Sequence, residues 1–229
     1  MDGRLAGRRA FWSTGFVAGA TLFCILAVLV ELDLTAGLDI LVLESLRSAD
    51  DLTDALGPAW FEDTVRSMTV LGGYPVIVFA VLNVIVVLVI MEDRTSATLV
   101  AASVSGASVL SSGLKQVFAR PRPDIVAHLD PTIVAVSFPS SHATVSLATW
   151  LTLALVLAAR VPVRAVRIYL VAVSLLLAAL VGLSRIYLGV HWPSDVLAGW
   201  ALGFAWLCVV FGIAGMREAR RRQAGGRVG

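Results

Sequence analysis

Six stretches of the chain, residues 11–32, 70–91, 96–114, 143–159, 168–183 and 196–216, are apolar almost throughout, and Glu31 is the one charged residue inside them. A helix of about 20 such residues spans the hydrocarbon core of a bilayer. Lipid offers no partner to an open backbone N–H or C=O, so a stretch of this kind must close its own hydrogen bonds as a helix. The expected fold is therefore all-α: a polytopic membrane bundle of six transmembrane helices in a single domain, residues 1–229. The fifth stretch is short and reaches residue 187 by including Ser184 and Arg185. Composition agrees, with 58% hydrophobic and 15% charged residues, against about 25% charged in soluble domains. Arg4, Arg8 and Arg9 precede the first stretch as they would in a signal peptide. The stretch is long enough to span a membrane and has no clear small-residue cleavage site, so it is expected to be a retained helix.

The connections differ in character. Residues 33–69 are acidic, with Asp33, Asp39, Glu44, Asp50, Asp51, Asp54, Glu62 and Asp63 against Arg47 and Arg66. Ile40, Leu43, Leu46, Leu52 and Leu56 recur there at near-helical spacing, which predicts an amphipathic helix lying at the membrane interface between the first two spans. Cys24 and Cys208 sit in apolar runs without metal-ligand spacing and are expected to pack as small hydrophobes. A net charge of +2 implies no nucleic-acid partner. The expected partners are the bilayer and a lipid phosphate. Oligomeric state is not legible.

The polar residues near membrane level fall into three clusters. Lys115, Arg120, Arg122 and Pro123 follow the third span. Pro139, Ser140, Ser141 and His142 begin the fourth. Ser184 and Arg185 end the fifth, and His191 and Asp195 bracket the start of the sixth. Consecutive spans alternate direction, so these ends all lie at one membrane face. Lys115, Arg122 and Arg185 bring three cations, and Lys115 is the sole lysine among 18 basic residues. Ser140 and Ser141 bring hydroxyls at a helix start, whose free N–H groups and dipole also favour an anion. Arginine matches a phosphate by bidentate geometry.

His191 and Asp195 are four residues apart, one helical turn. A carboxylate there can accept from one ring nitrogen and leave the other free to attack phosphorus. His142 can give a proton to the leaving oxygen. Nucleophile, orienting carboxylate, acid and anion cradle make a complete set for phosphoryl transfer. No carboxylate cluster points to a metal, and no cofactor is expected.

Each residue taken singly has a plainer explanation. Arg120 and Arg185 read alone as snorkelling anchors at helix ends. Ser140 and Ser141 could only cap a helix, and Asp195 could only complement a helix dipole. Trp192 and Trp200 read as interfacial or packing aromatics, and His128 has no nameable partner. Joint placement on one face decides for function in the case of Lys115, Arg122, Ser140, Ser141, His142, Arg185, His191 and Asp195.

These residues closely resemble the type 2 phosphatidic acid phosphatase family, which includes the vanadium haloperoxidases. Its motifs are K-x(6)-R-P, P-S-G-H and S-R-x(5)-H-x(3)-D. Lys115, Arg122 and Pro123 match the first, Pro139, Ser140 and His142 the second, and Ser184, Arg185, His191 and Asp195 the third. Ser141 stands where the family has glycine. The resemblance implies a metal-independent lipid phosphate or diphosphate phosphatase. His191 would form a phosphohistidine, Asp195 would orient it and His142 would protonate the leaving group. Lys115, Arg122, Ser140 and Arg185 would hold the phosphoryl oxygens. The alternatives are a non-catalytic lipid-phosphate binder or transporter on the same scaffold, and a haloperoxidase, which the membrane spans disfavour.

Orientation follows from the arginines. With six spans, twelve basic residues lie on the side of the termini: Arg4, Arg8, Arg9, Arg94, Arg160, Arg164, Arg167 and five in the C-terminal tail. Six lie on the other, of which Lys115, Arg122 and Arg185 are assigned to phosphate. The positive-inside rule then predicts cytoplasmic termini and a site on the outer face.

Overall fold

The computed structural model describes residues 2–130 and 136–225, with side chains described for 7–130 and 136–219. Arg227 and the side chains of Arg4, Arg220, Arg221 and Arg222 lie outside that description. The elements in order are α1 (Asp2–Glu31), α2 (Ala36–Glu44), β1 (Arg47–Ser48), β2 (Asp51–Ala55), α3 (Ala59–Val70), α4 (Tyr74–Ile90), α5 (Arg94–Phe118), α6 (Ser141–Ala158), α7 (Arg164–Tyr187) and α8 (Pro193–Gly225). By length and composition α1, α5, α6, α7 and α8 can each cross a membrane. α3 and α4 meet at 44° across a short break, and counted together as one broken span they bring the total to six. The expected all-α polytopic bundle is the observed architecture, and its helices run further than the apolar stretches alone.

The second span departs most from expectation. The apolar run expected over residues 70–91 is split: Val70 ends α3 and α4 starts at Tyr74, with Gly72 and Gly73 in the break and Pro75 in the first turn of α4. Gly72 is buried at this bend, and a Cβ there would lie 2.3 Å from Val181 Cγ1 and 3.4 Å from His142 Cδ2. The bend thus presses against α7 and the start of α6.

The interfacial segment is also not one amphipathic helix. Ile40 and Leu43 lie on α2, but Leu52 is on β2, which pairs antiparallel with β1 through Arg47↔Ala55 and Ser48↔Asp51. Arg47 clasps this ribbon to the bundle, donating to the Tyr187 carbonyl at 3.0 Å and the Ala127 carbonyl at 3.3 Å. α2 itself is turned inside out by soluble standards. Leu38 and Leu41 are exposed, while Asp39 and Leu43 are buried.

α6 is the most buried of the spans, packed between α5, α7 and α8, and α1 lies along α8. Lipid tails are as apolar as leucine, so membrane helices associate by close packing of small residues. α8 supplies them as Gly199 and Gly203. A Cβ on Gly199 would stand 2.7 Å from the Ser140 carbonyl oxygen, and one on Gly203 would stand 2.6 Å from that of Thr144. Ser103 and Thr152 add a hydroxyl pair at 2.7 Å between α5 and α6. The close α6–α8 approach brings the first turns of both helices together.

Gly203→Ala forces a methyl into the backbone of α6 and is expected to destabilise the protein by about 1–3 kcal/mol. Gly212→Ala, whose methyl would meet Trp12 Cβ at 3.6 Å, is the matched control and should leave stability nearly unchanged. Thermal unfolding of both variants in detergent checks the contrast.

Candidate active site

The site is built from the first turn of α8 outward. Pro193 is the first helical residue of α8, so Trp192 occupies the N-cap position with no side-chain oxygen to serve as cap. Asp195 reaches back instead, and its Oδ2 accepts the Trp192 backbone N–H at 3.0 Å. The same oxygen lies 3.2 Å from His191 Nδ1. Its Oδ1 accepts from an Arg120 Nη at 2.7 Å. Asp195 is fully buried and His191 only 2% exposed.

The loop that delivers His191 is fixed by α7. Gly189 takes φ +71°, and a Cβ there would lie 2.7 Å from both the Ala127 carbonyl oxygen and Arg47 Nη. Only glycine fits that left-handed, crowded position. The Arg185 carbonyl then accepts the N–H groups of Val190 at 3.2 Å and His191 at 3.3 Å.

With Nδ1 turned to Asp195, Nε2 faces the cations. An Arg122 Nη lies 3.2 Å from it and also donates to the Val190 carbonyl. Burial holds the His191 pKa well below the usual 6.5, and the charges of Arg122, Lys115, Arg185 and His142 push the same way. Burial, then the positive charge of Arg185, lowers Arg122 to about 10, which leaves it charged.

The remaining cations are steered by carbonyl groups and hydroxyls. Lys115 Nζ donates to the carbonyls of Val136 at 3.0 Å and Ser137 at 2.9 Å. Arg185, 2% exposed, bonds Thr69 Oγ1 at 2.8 Å and Asp130 at 3.2 Å, and its Nε has no hydrogen-bond partner among the described residues. Ser140 is buried; its Oγ caps α6 by accepting the Ala143 N–H at 3.5 Å, and its own N–H binds the Asp195 carbonyl at 3.1 Å. Ser141 and His142 open α6, half-buried, with His142 against the bend at Gly72. The eight sequence-selected residues thus lie on or next to the facing ends of α5, α6, α7 and α8, with Arg122 and His191 in the connections, and His191 and Asp195 are in direct contact. The set offers a neutral imidazole nitrogen beside fixed cations and a helix N-terminus, which can bind an oxyanion and attack it. Among the described residues, no group of three or more His, Cys, Asp or Glu is placed to hold a metal ion.

Sequence reasoning missed four participants. Arg120, read singly as a snorkelling anchor, is an ion-paired bridge between Asp195 and Asp39, 13% exposed and stacked 5.3 Å over the Trp192 ring. Asp39 counted only as one acid of an acidic segment, yet it is 1% exposed. Thr69 and Asp130 are the Arg185 partners. Only the clustering of Arg120 with Arg122 could have flagged any of them. His128, for which no partner was nameable, binds the Pro123 carbonyl.

Fold and site together define a polytopic helical membrane protein with a buried histidine–carboxylate pair facing a cationic cradle. The PAP2 superfamily profile matches residues 96–219, and the chain belongs to that superfamily. It is 35% identical over 113 residues to a decaprenylphosphoryl-5-phosphoribose phosphatase of Mycobacterium tuberculosis, covering 48% of this chain and 56% of that one. It is 33% identical over 117 residues to phosphatidylglycerophosphatase B of Bacillus subtilis, covering 50% and 54%. An undecaprenyl-diphosphatase of Sulfolobus acidocaldarius matches at 35% over 105 residues, covering 44% and 46%. The chain spans about half the length of the curated relatives it matches. In fold it is similar to the transmembrane PAP2 type phosphatidylglycerolphosphate phosphatase from Bacillus subtilis, with a TM-score of 0.76, 23% identity, and coverage of 86% of this chain and 94% of that one.

The lowered pKa has a measurable consequence. The His191 imidazole should stay neutral as pH falls through 6.5, while the same histidine in the unfolded chain takes up a proton. Folding stability contributed by the neutral ring is present above 6.5 and declines as pH falls below it. A pH titration of ¹⁵N-histidine-labelled protein, with His191→Ala for assignment, should show the His191 signals unmoved near pH 6.

Proposed function

We propose that this protein is a membrane lipid phosphatase or diphosphatase, with the whole chain as one catalytic domain, acting through a phosphohistidine at His191 without metal or cofactor. The observation that carries the reading is the division of the His191 ring. Nδ1 is engaged by Asp195, and Nε2, kept neutral by burial and positive surroundings, faces Arg122. A nitrogen lone pair held beside cations is what attack on a phosphorus bearing anionic oxygens requires.

In the first step Nε2 forms a bond to phosphorus as the bond to the lipid oxygen breaks. His142 gives that oxygen its proton, and Asp195 stabilises the positive charge that develops on the His191 ring. Lys115, Arg122, Arg185, Ser140 and the first N–H groups of α6, including that of Ser141, hold the phosphoryl oxygens. In the second step His142 takes a proton from water, whose oxygen attacks phosphorus and breaks the P–N bond. Inorganic phosphate leaves and His191 is restored. The relatives' names cover a polyprenyl phosphosugar, a glycerophospholipid phosphate and a polyprenyl diphosphate. A polyprenyl diphosphate or a glycerophospholipid phosphate is the substrate class we favour.

Phosphate release from a panel of such lipids tests the reading. The wild type should turn over at least one of them in the presence of EDTA, and His191→Ala should fall to background while remaining folded. His142→Ala should lose most activity on a lipid ester but recover part of it on a substrate with a good leaving group, which needs less protonation. Near-normal release by His191→Ala would sink the mechanism. Binding of every lipid without release would favour a carrier.

The site is proposed to face outward, with both termini cytoplasmic, on the strength of the arginine distribution. A reporter active only in the cytoplasm should give signal when fused after Arg222 and none when inserted near Asp130. The reverse pattern would place the chemistry in the cytoplasm.

A further inference from the structure

Asp39 lies on α2, outside the residues 96–219 matched by the superfamily profile. Its carboxylate is nevertheless buried against the site. Oδ1 accepts the Ser194 backbone N–H at 2.9 Å, and Oδ2 accepts the Ser194 hydroxyl at 2.6 Å and an Arg120 Nη at 3.0 Å. Ser194 is the second residue of α8, so Asp39 supplies from another helix the cap that Trp192 cannot. Arg120 in turn donates to Ser194 Oγ at 2.8 Å and to Asp195 Oδ1 at 2.7 Å. An unbroken chain of contacts therefore runs from Asp39 through Arg120 and the start of α8 to Asp195, and from Asp195 to His191 Nδ1.

We propose that Asp39 is a positioning residue for His191. Acting through Arg120 and Ser194, it holds the Asp195 carboxylate where that group keeps the proton of His191 on Nδ1 and the lone pair on Nε2. The proposal rests on the reading of His191 as nucleophile. Without the charge of Asp39, Arg120 is drawn wholly onto Asp195 and the α8 cap loosens. The carboxylate then turns from Nδ1, and molecules carrying the proton on Nε2, which cannot attack, accumulate. Asp39 makes no contact with Lys115, Arg122, Arg185 or Ser140 among its hydrogen bonds. Loss of its charge should therefore slow the chemical step and spare phosphate binding.

The full-length protein in detergent micelles, assayed on dioctanoyl phosphatidate and farnesyl diphosphate, tests this. Asp39→Asn keeps the shape of the side chain. It should lower kcat about tenfold, as loss of a residue supporting an active ligand does, with KM within about twofold of wild type. The ¹⁵N spectrum of its His191 should shift from the Nδ1–H toward the Nε2–H tautomer. Ser194→Ala removes the two hydroxyl bonds to Asp39 and Arg120 but keeps the Arg120–Asp39 ion pair, and should move kcat and the tautomer in the same direction by less; it decides the matter should Asp39→Asn not fold. A lower melting temperature with wild-type kcat would make Asp39 a tether for α2 and overturn the proposal. So would a fallen kcat with an unchanged His191 spectrum. Should the wild type turn over neither lipid, the phosphatase reading fails on these substrates, and the tautomer shift still decides whether Asp39 controls His191.

Discussion

A carboxylate without exposed surface must have both oxygens engaged, and in this protein that constraint falls on Asp195. Stripping a partner from a buried ion pair costs about 3–5 kcal/mol. Among the groups that meet the demand are the His191 ring, the Trp192 N–H and the Arg120 guanidinium. Each determines a piece of the architecture. The ring requires the sharp Gly189 turn out of α7. The Trp192 N–H defines where α8 begins. Arg120 requires the chain leaving α5 to fold back across the start of α8, and its second contact draws in Asp39 from α2. Three regions far apart in sequence, at residues 39, 120 and 189–195, are tied together around one anion.

The cations of the site are arranged on the opposite logic. They carry few acidic partners and are oriented mainly by neutral oxygens: Lys115 by the Val136 and Ser137 carbonyls, Arg122 by those of Val190 and Val136, and Arg185 by Thr69 together with Asp130. Carbonyl groups fix the direction of a guanidinium or ammonium without cancelling its charge. In the proposed reaction these cations would meet an incoming anion already oriented, which is the condition under which electrostatic stabilisation acts on a reaction barrier. Close helix packing makes this possible. Gly199 and Gly203 let α8 approach the backbone of α6, so that the Ser140 N–H can bind the Asp195 carbonyl and join the two helix starts.

What could be read from the sequence was whatever depends on local period and alternating direction. Runs of apolar residues are enough to place spans, and alternation is enough to bring Lys115, His142, Arg185 and His191 to one face. The ribbon at Arg47–Ala55 was hidden because its leucines, taken with those of α2, mimic a helical period. The break at Gly72 was hidden because the residues on both sides are apolar. Arg120 and Asp39 were hidden for a different reason. A buried ion pair between residues 81 apart in sequence leaves no periodic trace, and each member alone looks like an ordinary interfacial charge.

The inversion of α2 unites these points. In water a short helix with leucines at residues 38 and 41 would turn them inward and expose its aspartate. Here the leucines are exposed and Asp39 is buried. At the edge of a bilayer that is the favourable arrangement, since exposed leucines meet acyl chains and a charge is stable only where other charges receive it. On α2, Leu38 and Leu41 thus follow the rule of the spans and face outward, while the ionised Asp39 turns toward the bundle interior. Sorting by that rule delivers a carboxylate to Arg120. The membrane setting, and not only the motif-bearing helices, completes the surroundings of His191.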